Sequence, residues 1–187
     1  LTDAFKAKDV KSILKLSADI GHYIFDLHVP LHATKNYNGQ LTDQHGIHGL
    51  WESRLPELFS KNYSYYVGRA RYIPNINAEV WSALTASRAC VDSVLRIEKG
   101  LQQSFKEDKI FSYEDRNGQT MRVYSYEFSK AYHTDLNDMV QRRMRSAIQM
   151  TANMWYTCWM NAGKPDLTTF PEPIFTKEEL EELARLK

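Results

Sequence analysis

The chain has 187 residues, a formal net charge of +1 and 12% aromatic residues. This length favours one domain with a substantial core. A net charge near zero argues against duplex DNA binding through a broad basic surface, although it leaves a small phosphodiester substrate open. No apolar run approaches the roughly 18 residues that span a membrane, so no transmembrane segment is expected, and no signal peptide is recognised.

The first long helix is predicted from its start signal, its apolar period and its stop signal. Asp9 is expected to cap it, and the helical period of apolar residues continues until Pro30 ends the helix. His22 and Asp26 then lie on its last two turns. Apolar residues flank this pair and predict that the helix is buried on more than one face: Ile20, Ile24 and Leu27.

A polar loop is predicted to connect this helix to the next. It covers 33–47, is rich in Asn, Asp and Gly, and contains the turn signal Asn38–Gly39. The loop leads into a second helix, expected over 48–59, which Pro56 shortens or kinks.

The remaining chain is predicted to form two further long helices with an insertion between them. Asn77 is expected to cap the first and Thr134 the second. Near 111–126, β-forming residues flank the turn signal Asn117–Gly118, which predicts one short hairpin or irregular insertion. The predicted fold class is therefore all-α, a multi-helix bundle in a single helical domain that covers 1–187.

Two features of the sequence each leave two interpretations open. The segment 61–75 combines tyrosines with basic residues, so it is either a surface segment that covers the core or a platform on which bases stack. Cys90 and Cys158 are the only cysteines. They are either two free thiols in helices or, in an exported protein, a disulfide.

Metal-competent residues recur at helical spacing within one short stretch. His22 and Asp26 are four residues apart and share a helix face, and His48 and Glu52 repeat that spacing on the next helix. His32 lies between the two pairs. One such pair arises by chance or forms an ordinary helix-face interaction. Two pairs with His32 predict a metal site, and this mixture of ligands suits zinc better than magnesium or calcium.

This stretch resembles a known superfamily, which comprises bacterial zinc-dependent phospholipase C and the fungal and plant zinc-dependent single-strand nucleases. The resemblance implies an all-helical protein with three zinc ions at the bottom of a cleft, and a secreted or periplasmic location. The residues that carry the resemblance are His22-Tyr23, Asp26-Leu27-His28, Pro30, His32 and His48-Gly49-Leu50-Trp51-Glu52.

The resemblance also implies a role for each matching position. His22 matches a ligand of one ion, and Asp26 matches the carboxylate that bridges this ion to a second. His32, His48 and Glu52 match the three protein ligands of the remaining ion. Asp26 and Glu52 are therefore the carboxylates expected to act in catalysis, through the ions that they hold.

The resemblance favours the nuclease branch over the phospholipase branch. His28 matches a position beside the ligands where the nucleases also have histidine, and its implied role is to orient a ligand. The expected substrate is single-stranded nucleic acid, and the alternative is a phospholipid whose head group is hydrolysed. A structural zinc-binding fragment without turnover is a third interpretation.

The start of the chain departs from the family pattern. The family begins its mature chain with a zinc-binding Trp, and a His, an Asp and another His follow before the motif. This chain begins with Leu1 and has no such candidate before His22, so an N-terminal segment is expected to be missing. The parent protein is expected to be a phosphodiester hydrolase with three zinc ions. This chain is expected to bind at least one ion and to be weak or inactive.

Overall fold

The computed structural model describes residues 1–116 and 118–185, and this part of the chain is mostly helical with a two-stranded antiparallel sheet. The helices and strands are α1 (Thr2–Ala7), α2 (Val10–Leu27), α3 (Ile47–Gly49), α4 (Leu55–Phe59), α5 (Ile76–Ser104), α6 (Glu107–Ile110), β1 (Phe111–Arg116), β2 (Gln119–Tyr124), α7 (Tyr126–Asp135), α8 (Met139–Asn161) and α9 (Lys177–Arg185). Short 3-10 turns lie at Pro30–Ala33, Ser60–Asn62 and Leu167–Thr169, and a π-helical turn lies at Leu50–Arg54.

The predicted mostly helical fold and its hairpin are confirmed. Strands β1 and β2 pair in register from Phe111 opposite Tyr124 to Arg116 opposite Gln119. Asn117, which belongs to the predicted turn, lies outside the described residues. Among the described helices, none combines the length and the apolar character that crossing a bilayer requires.

Helix α2 begins and ends as predicted, but the prediction that it is buried on more than one face is wrong. The Asp9 carboxylate accepts a hydrogen bond from the backbone N–H of Ser12 at 3.2 Å and so caps the helix. Within α2 only Ile24 is buried, and the side chain of His22 is 72% exposed. The helix packs against α8, where Ile24 joins a small buried cluster with Met150.

Two predicted helix caps are wrong by a few residues. Asn75, not Asn77, caps α5, because its side chain accepts a hydrogen bond from a backbone N–H in the first turn at 3.0 Å. Thr134 lies inside α7, and α8 begins only after Asp138. Asn137 and Asp138 have φ angles of 47° and 58°, which end one helix before the next begins. Asn and Asp tolerate this left-handed conformation better than most residues do.

The main core lies where the 3-10 turn at Pro30–Ala33, α5 and α7 meet. The hydroxyl of Tyr132, a fully buried side chain, donates to the carbonyl of Val94 at 2.9 Å and so ties α7 to α5. Cys90, in α5, packs at the edge of this core, and Cys158 is buried in α8. Both are free thiols.

An extended strap, residues 63–73, runs along α8 and is held by hydrogen bonds rather than by a neighbouring strand. Its polar backbone groups bind α8 side chains, as in the bond from the Arg71 N–H to Asn153 Oδ1 at 2.9 Å and the bond from the Ile73 N–H to Thr157 Oγ1 at 2.9 Å. The α8 residues that bind the strap recur every four positions and share one face: Gln141, Arg145, Gln149, Asn153, Thr157 and Asn161.

Candidate metal centre

Three side chains converge from three consecutive helical pieces. His32 lies in the 3-10 turn that follows α2, His48 lies in α3, and Glu52 lies in the π-helical turn. The residue immediately before each of them is buried in the main core, with exposures of 0%, 0% and 3% for Leu31, Ile47 and Trp51. Because each donor is adjacent to such an anchor, packing of the core positions all three donors.

The π-helical turn that carries Glu52 has a local cause in the sequence. Pro56 has no backbone N–H, so it cannot donate to the carbonyl of Glu52, four residues earlier. In the same turn the N–H of Leu55 binds the carbonyl of Leu50, five residues earlier. Turns of this kind are frequent at functional sites. The predicted helix over 48–59 is therefore present, with its hydrogen bonding altered at Glu52.

The three donor atoms form a small triangle. His48 Nε2 lies 2.7 Å from Glu52 Oε2 and 3.3 Å from His32 Nε2, and His32 Nε2 lies 3.5 Å from Glu52 Oε2. A tetrahedral metal with bonds of about 2.0–2.1 Å holds its ligand atoms about 3.3–3.4 Å apart. Two edges of the triangle already match this spacing, and the third needs to lengthen by about 0.6 Å. The cluster therefore has the dimensions of a tetrahedral metal site.

The second nitrogen of each imidazole ring faces an acceptor. Nδ1 of His48 lies 3.1 Å from the backbone carbonyl of Tyr37, which can only accept, so Nδ1 carries the proton of the neutral ring. Nδ1 of His32 lies 3.7 Å from Oδ1 of Asp26. In the neutral form of His48 the Nε2 lone pair is thereby directed at the cluster, and in His32 the negative charge of Asp26 favours the same arrangement. Acceptors in these positions orient metal-binding histidines in many proteins.

The electrostatics of the cluster favour an ion pair between His48 and Glu52. Hydrogen bonding to Glu52 raises the pKa of His48 above its ordinary value, and burial opposes this only in part. The same hydrogen bond, from His48, lowers the pKa of Glu52. Glu52 is therefore an ionised acceptor at neutral pH, and a metal cation would compete with protonation of His48.

The other two predicted ligands adjoin the cluster. His32, His48 and Glu52 present donor atoms within 4.8 Å of one another, a group that could hold a metal ion. Asp26 lies beside it, with Oδ1 toward His32 at 3.7 Å and Oδ2 toward His22 Nε2 at 3.5 Å. The five residues thus form one continuous array, with His22 at its exposed end.

The loop before α3 holds His48 in place through its side chains. Asn38 Oδ1 accepts the backbone N–H groups of Gly46 at 3.1 Å and His48 at 3.4 Å. Gly39 has a φ of +74°, and a Cβ there would lie 2.2 Å from the Gln44 carbonyl oxygen. Only glycine fits this turn, so the predicted Asn-Gly turn contributes directly to the position of the site.

His28 lies behind the cluster rather than in it. It is 5% exposed, and its Nδ1 donates to the carbonyl of Ile24 at 2.7 Å. Burial lowers its pKa, so the ring is neutral at pH 7. Sequence reasoning missed two groups nearby: the carbonyl of Tyr37, which has no side-chain signal, and Arg143, whose Nε donates to the carbonyl of His28 at 3.1 Å.

Comparison of the chain with protein-family models, with curated proteins and with solved structures finds no match. The chemistry of the site therefore has to be argued from its own donors. Two imidazoles and a carboxylate would supply three ligands to a tetrahedral metal, and water or substrate would supply the fourth. Such an arrangement can bind a divalent transition metal and present it to a ligand.

Proposed function

We propose that this chain is a zinc-dependent phosphodiester hydrolase whose substrate is single-stranded nucleic acid. The observation that carries the proposal is the triangle of His32, His48 and Glu52 donors, with each imidazole backed by an acceptor on its far side. Helical proteins often contain either a cluster of three such donors or a histidine with an acceptor behind its ring. Their combination is typical of catalytic metal sites.

The donor set fits zinc. Two neutral imidazoles and one carboxylate are ligands that zinc accepts at tetrahedral positions, whereas magnesium and calcium prefer oxygen ligands only. Other transition metals also bind imidazole. When bound, zinc would supply a Lewis acid that acidifies water and neutralises charge on a phosphoryl oxygen.

Exposure of the donors supports a catalytic rather than a structural role. The side chains of His32, His48 and Glu52 are 32%, 27% and 37% exposed. Structural zinc sites are closed by four protein ligands, but catalytic sites keep a position open. Glu52 and Asp26 would supply negative charge to hold the cation, while the Tyr37 carbonyl and the charge of Asp26 would orient the imidazole rings.

Aromatic side chains beside the array support a nucleic acid substrate over a phospholipid. Tyr37 is 55% exposed, and its ring centroid lies 6.3 Å from that of His48. Tyr23 is 67% exposed and lies 5.6 Å from the ring of His22. Exposed aromatic faces stack on unpaired bases, which single strands offer and lipid head groups do not. The residue pattern around His28 and Trp51 resembles the nuclease branch as well.

The test compares hydrolysis of a single-stranded oligonucleotide with hydrolysis of phosphatidylcholine by the zinc-loaded protein. We expect faster release of product from the oligonucleotide. Low turnover is expected, because the described residues supply a full set of three ligands to one ion only. His48→Ala should abolish hydrolysis. His45→Ala is the matched control, since His45 is exposed, precedes His48 by three residues and is not one of the three grouped donors.

The two alternatives correspond to distinct results. Faster hydrolysis of phosphatidylcholine would replace the nuclease proposal with the phospholipase C proposal. Stoichiometric zinc that depends on His48, without hydrolysis of either substrate, would assign the cluster a structural role.

A further inference from the structure

A second polar cavity lies between the strap and helices α5 and α8. Its volume is about 530 Å³. Four arginines line it, and the one carboxylate in its lining is Glu79. Those arginines are Arg71, Arg142, Arg143 and Arg145. None of the lining residues belongs to the donor set His32, His48 and Glu52, so this arginine groove is a separate site.

Arg143 is a buried cation whose partners are all neutral. It is 9% exposed, and burial lowers the pKa of its guanidinium. Its Nε donates to the carbonyl of His28 at 3.1 Å, and its Nη2 donates to the carbonyl of Ala83 at 3.1 Å and to the hydroxyl of Ser87 at 2.5 Å. Among the described residues no carboxylate lies within ion-pair distance of it, and its Nη1 donates to no protein acceptor and is open to solvent. An anion that reaches Nη1 would compensate this largely buried charge.

The rest of the groove adds positive charge. Arg71 is paired with Glu79 at 3.0 Å. Arg142 donates to the backbone carbonyl of Asn137, and Arg145 donates to that of Ser64 at 2.6 Å, so neither cation is neutralised by these contacts. Among the described residues, Arg71 is the one guanidinium of this groove with a carboxylate partner, and the other three have none. Cations of one sign in a walled cleft concentrate anions.

We propose that the arginine groove binds a phosphate group, with the free Nη1 of Arg143 as the buried contact and Arg142 and Arg145 as contacts nearer the solvent. A phosphate has several acceptor oxygens and up to two negative charges, so several arginines can bind it together. Arg143 and His28 also line a smaller cavity of about 190 Å³ that reaches Glu52. The phosphate site is thus a neighbour of the metal cluster, but it does not require a metal.

The test is a calorimetric titration of metal-free protein with inorganic phosphate and, separately, with a nucleoside 5′-monophosphate, with sodium chloride used to keep the ionic strength constant. We expect Arg143→Gln to weaken binding roughly tenfold or more, because a charge-assisted hydrogen bond is lost. Arg142→Gln should weaken it about threefold through the loss of a more exposed charge. Arg96→Gln is the control and should bind normally, since Arg96 is exposed on α5 outside the groove.

The outcomes distinguish this proposal from the metal chemistry. Binding by metal-free His48→Ala protein supports a separate site, and binding that needs both zinc and His48 overturns it. A nucleotide that binds more tightly than inorganic phosphate identifies a nucleotide ligand, and equal affinities identify the phosphate group alone.

If circular dichroism shows that Arg143→Gln fails to fold, the phosphate affinity of Arg142→Gln is compared with that of the charge-preserving Arg142→Lys. Equal affinity in those two variants, or no binding by the wild type, overturns the proposal.

Discussion

The carboxylate of Asp26 lies 3.7 Å from Nδ1 of His32, on the opposite side of that ring from the nitrogen that faces His48. At this distance the carboxylate acts on the ring through its charge, which favours the proton of His32 on Nδ1 and leaves Nε2 for a metal. The family resemblance implies another role for Asp26, as a bridge between two ions. The two roles are compatible, because the second oxygen of Asp26 faces His22 at 3.5 Å.

The orienting role of Asp26 can be measured directly. Asp26→Asn should weaken zinc binding by about 10- to 100-fold, because loss of an orienting carboxylate has this effect at other histidine sites. Competition with a chromophoric zinc chelator measures the affinity. Asp92→Asn is the control, since Asp92 is an exposed carboxylate on α5 that pairs only with Arg96 at 3.7 Å. Equal affinities for zinc in the two variants would show that Asp26 does not act on the site.

The donor set itself predicts a stoichiometry. After extensive dialysis, elemental analysis should find at least one zinc per chain. His48→Ala should remove that zinc, because two donors alone bind it weakly. His133→Ala should retain it, since His133 lies apart from the cluster and shares a hydrogen bond of 2.8 Å with the Tyr63 hydroxyl. The same zinc content in both variants would contradict the assignment.

The turn at Gly39 should matter for both stability and metal affinity. Gly39→Ala should destabilise the protein by roughly 1–3 kcal/mol, because alanine is strained at a positive φ and its Cβ would meet the Gln44 carbonyl. Zinc affinity should fall with stability, since the same loop holds the N–H of His48. Chemical denaturation and zinc titration measure the two effects.

Gly100→Ala is the matched glycine control. Gly100 lies inside α5 with nothing within 4 Å of an added Cβ. Alanine there should stabilise the protein by about 0.5–1 kcal/mol, because it is the better helix former. Zinc affinity should not change. If Gly39→Ala behaves like Gly100→Ala, the turn is not required for the site.

Glu98 predicts an unusual pH dependence of stability. It is fully buried, and burial raises its pKa above the ordinary value despite hydrogen bonds from Gln44 and Gln102. The folded state therefore binds this proton more tightly than the unfolded state. Its contribution to stability is greatest below the unfolded pKa of about 4.5. That contribution falls as the pH rises toward the folded pKa, by about 1.4 kcal/mol for each pKa unit of the shift.

Replacing Glu98 by an uncharged residue should remove its pH-dependent contribution to the free energy of unfolding. Glu98→Gln should be more stable than the wild type at pH 7, with a difference that shrinks as the pH is lowered through the raised pKa. Urea denaturation across the pH range from 4 to 8 measures it. Glu107→Gln, at an exposed position in α6, should leave the curve unchanged. A Glu98→Gln curve parallel to that of the wild type would show that the pKa of Glu98 is not raised by folding.

Much of the local structure could be predicted because its causes are local. The side chain of Asp9 caps the helix that follows it, Pro30 ends that helix, and the spacing of His48 and Glu52 places both on one helical turn. The wrong caps at Asn77 and Thr134 have a local cause too. Several residues near each helix start can serve as a cap, and the choice depends on backbone angles that the residue types only bias.

That the predicted ligands come together at one site could be predicted only as a hypothesis, because it depends on packing between residues distant in the sequence. His32 and His48 are separated by a loop, and their approach to 3.3 Å requires the buried anchors Leu31 and Ile47 to lie in one core. The sequence by itself determined the donor types and their helical spacing. Tertiary structure alone decided which carbonyl orients His48, how exposed His22 is and that Arg143 is buried without a counter-charge. Hydrogen-bond partners and desolvation depend on three-dimensional neighbours, and sequence spacing does not specify these.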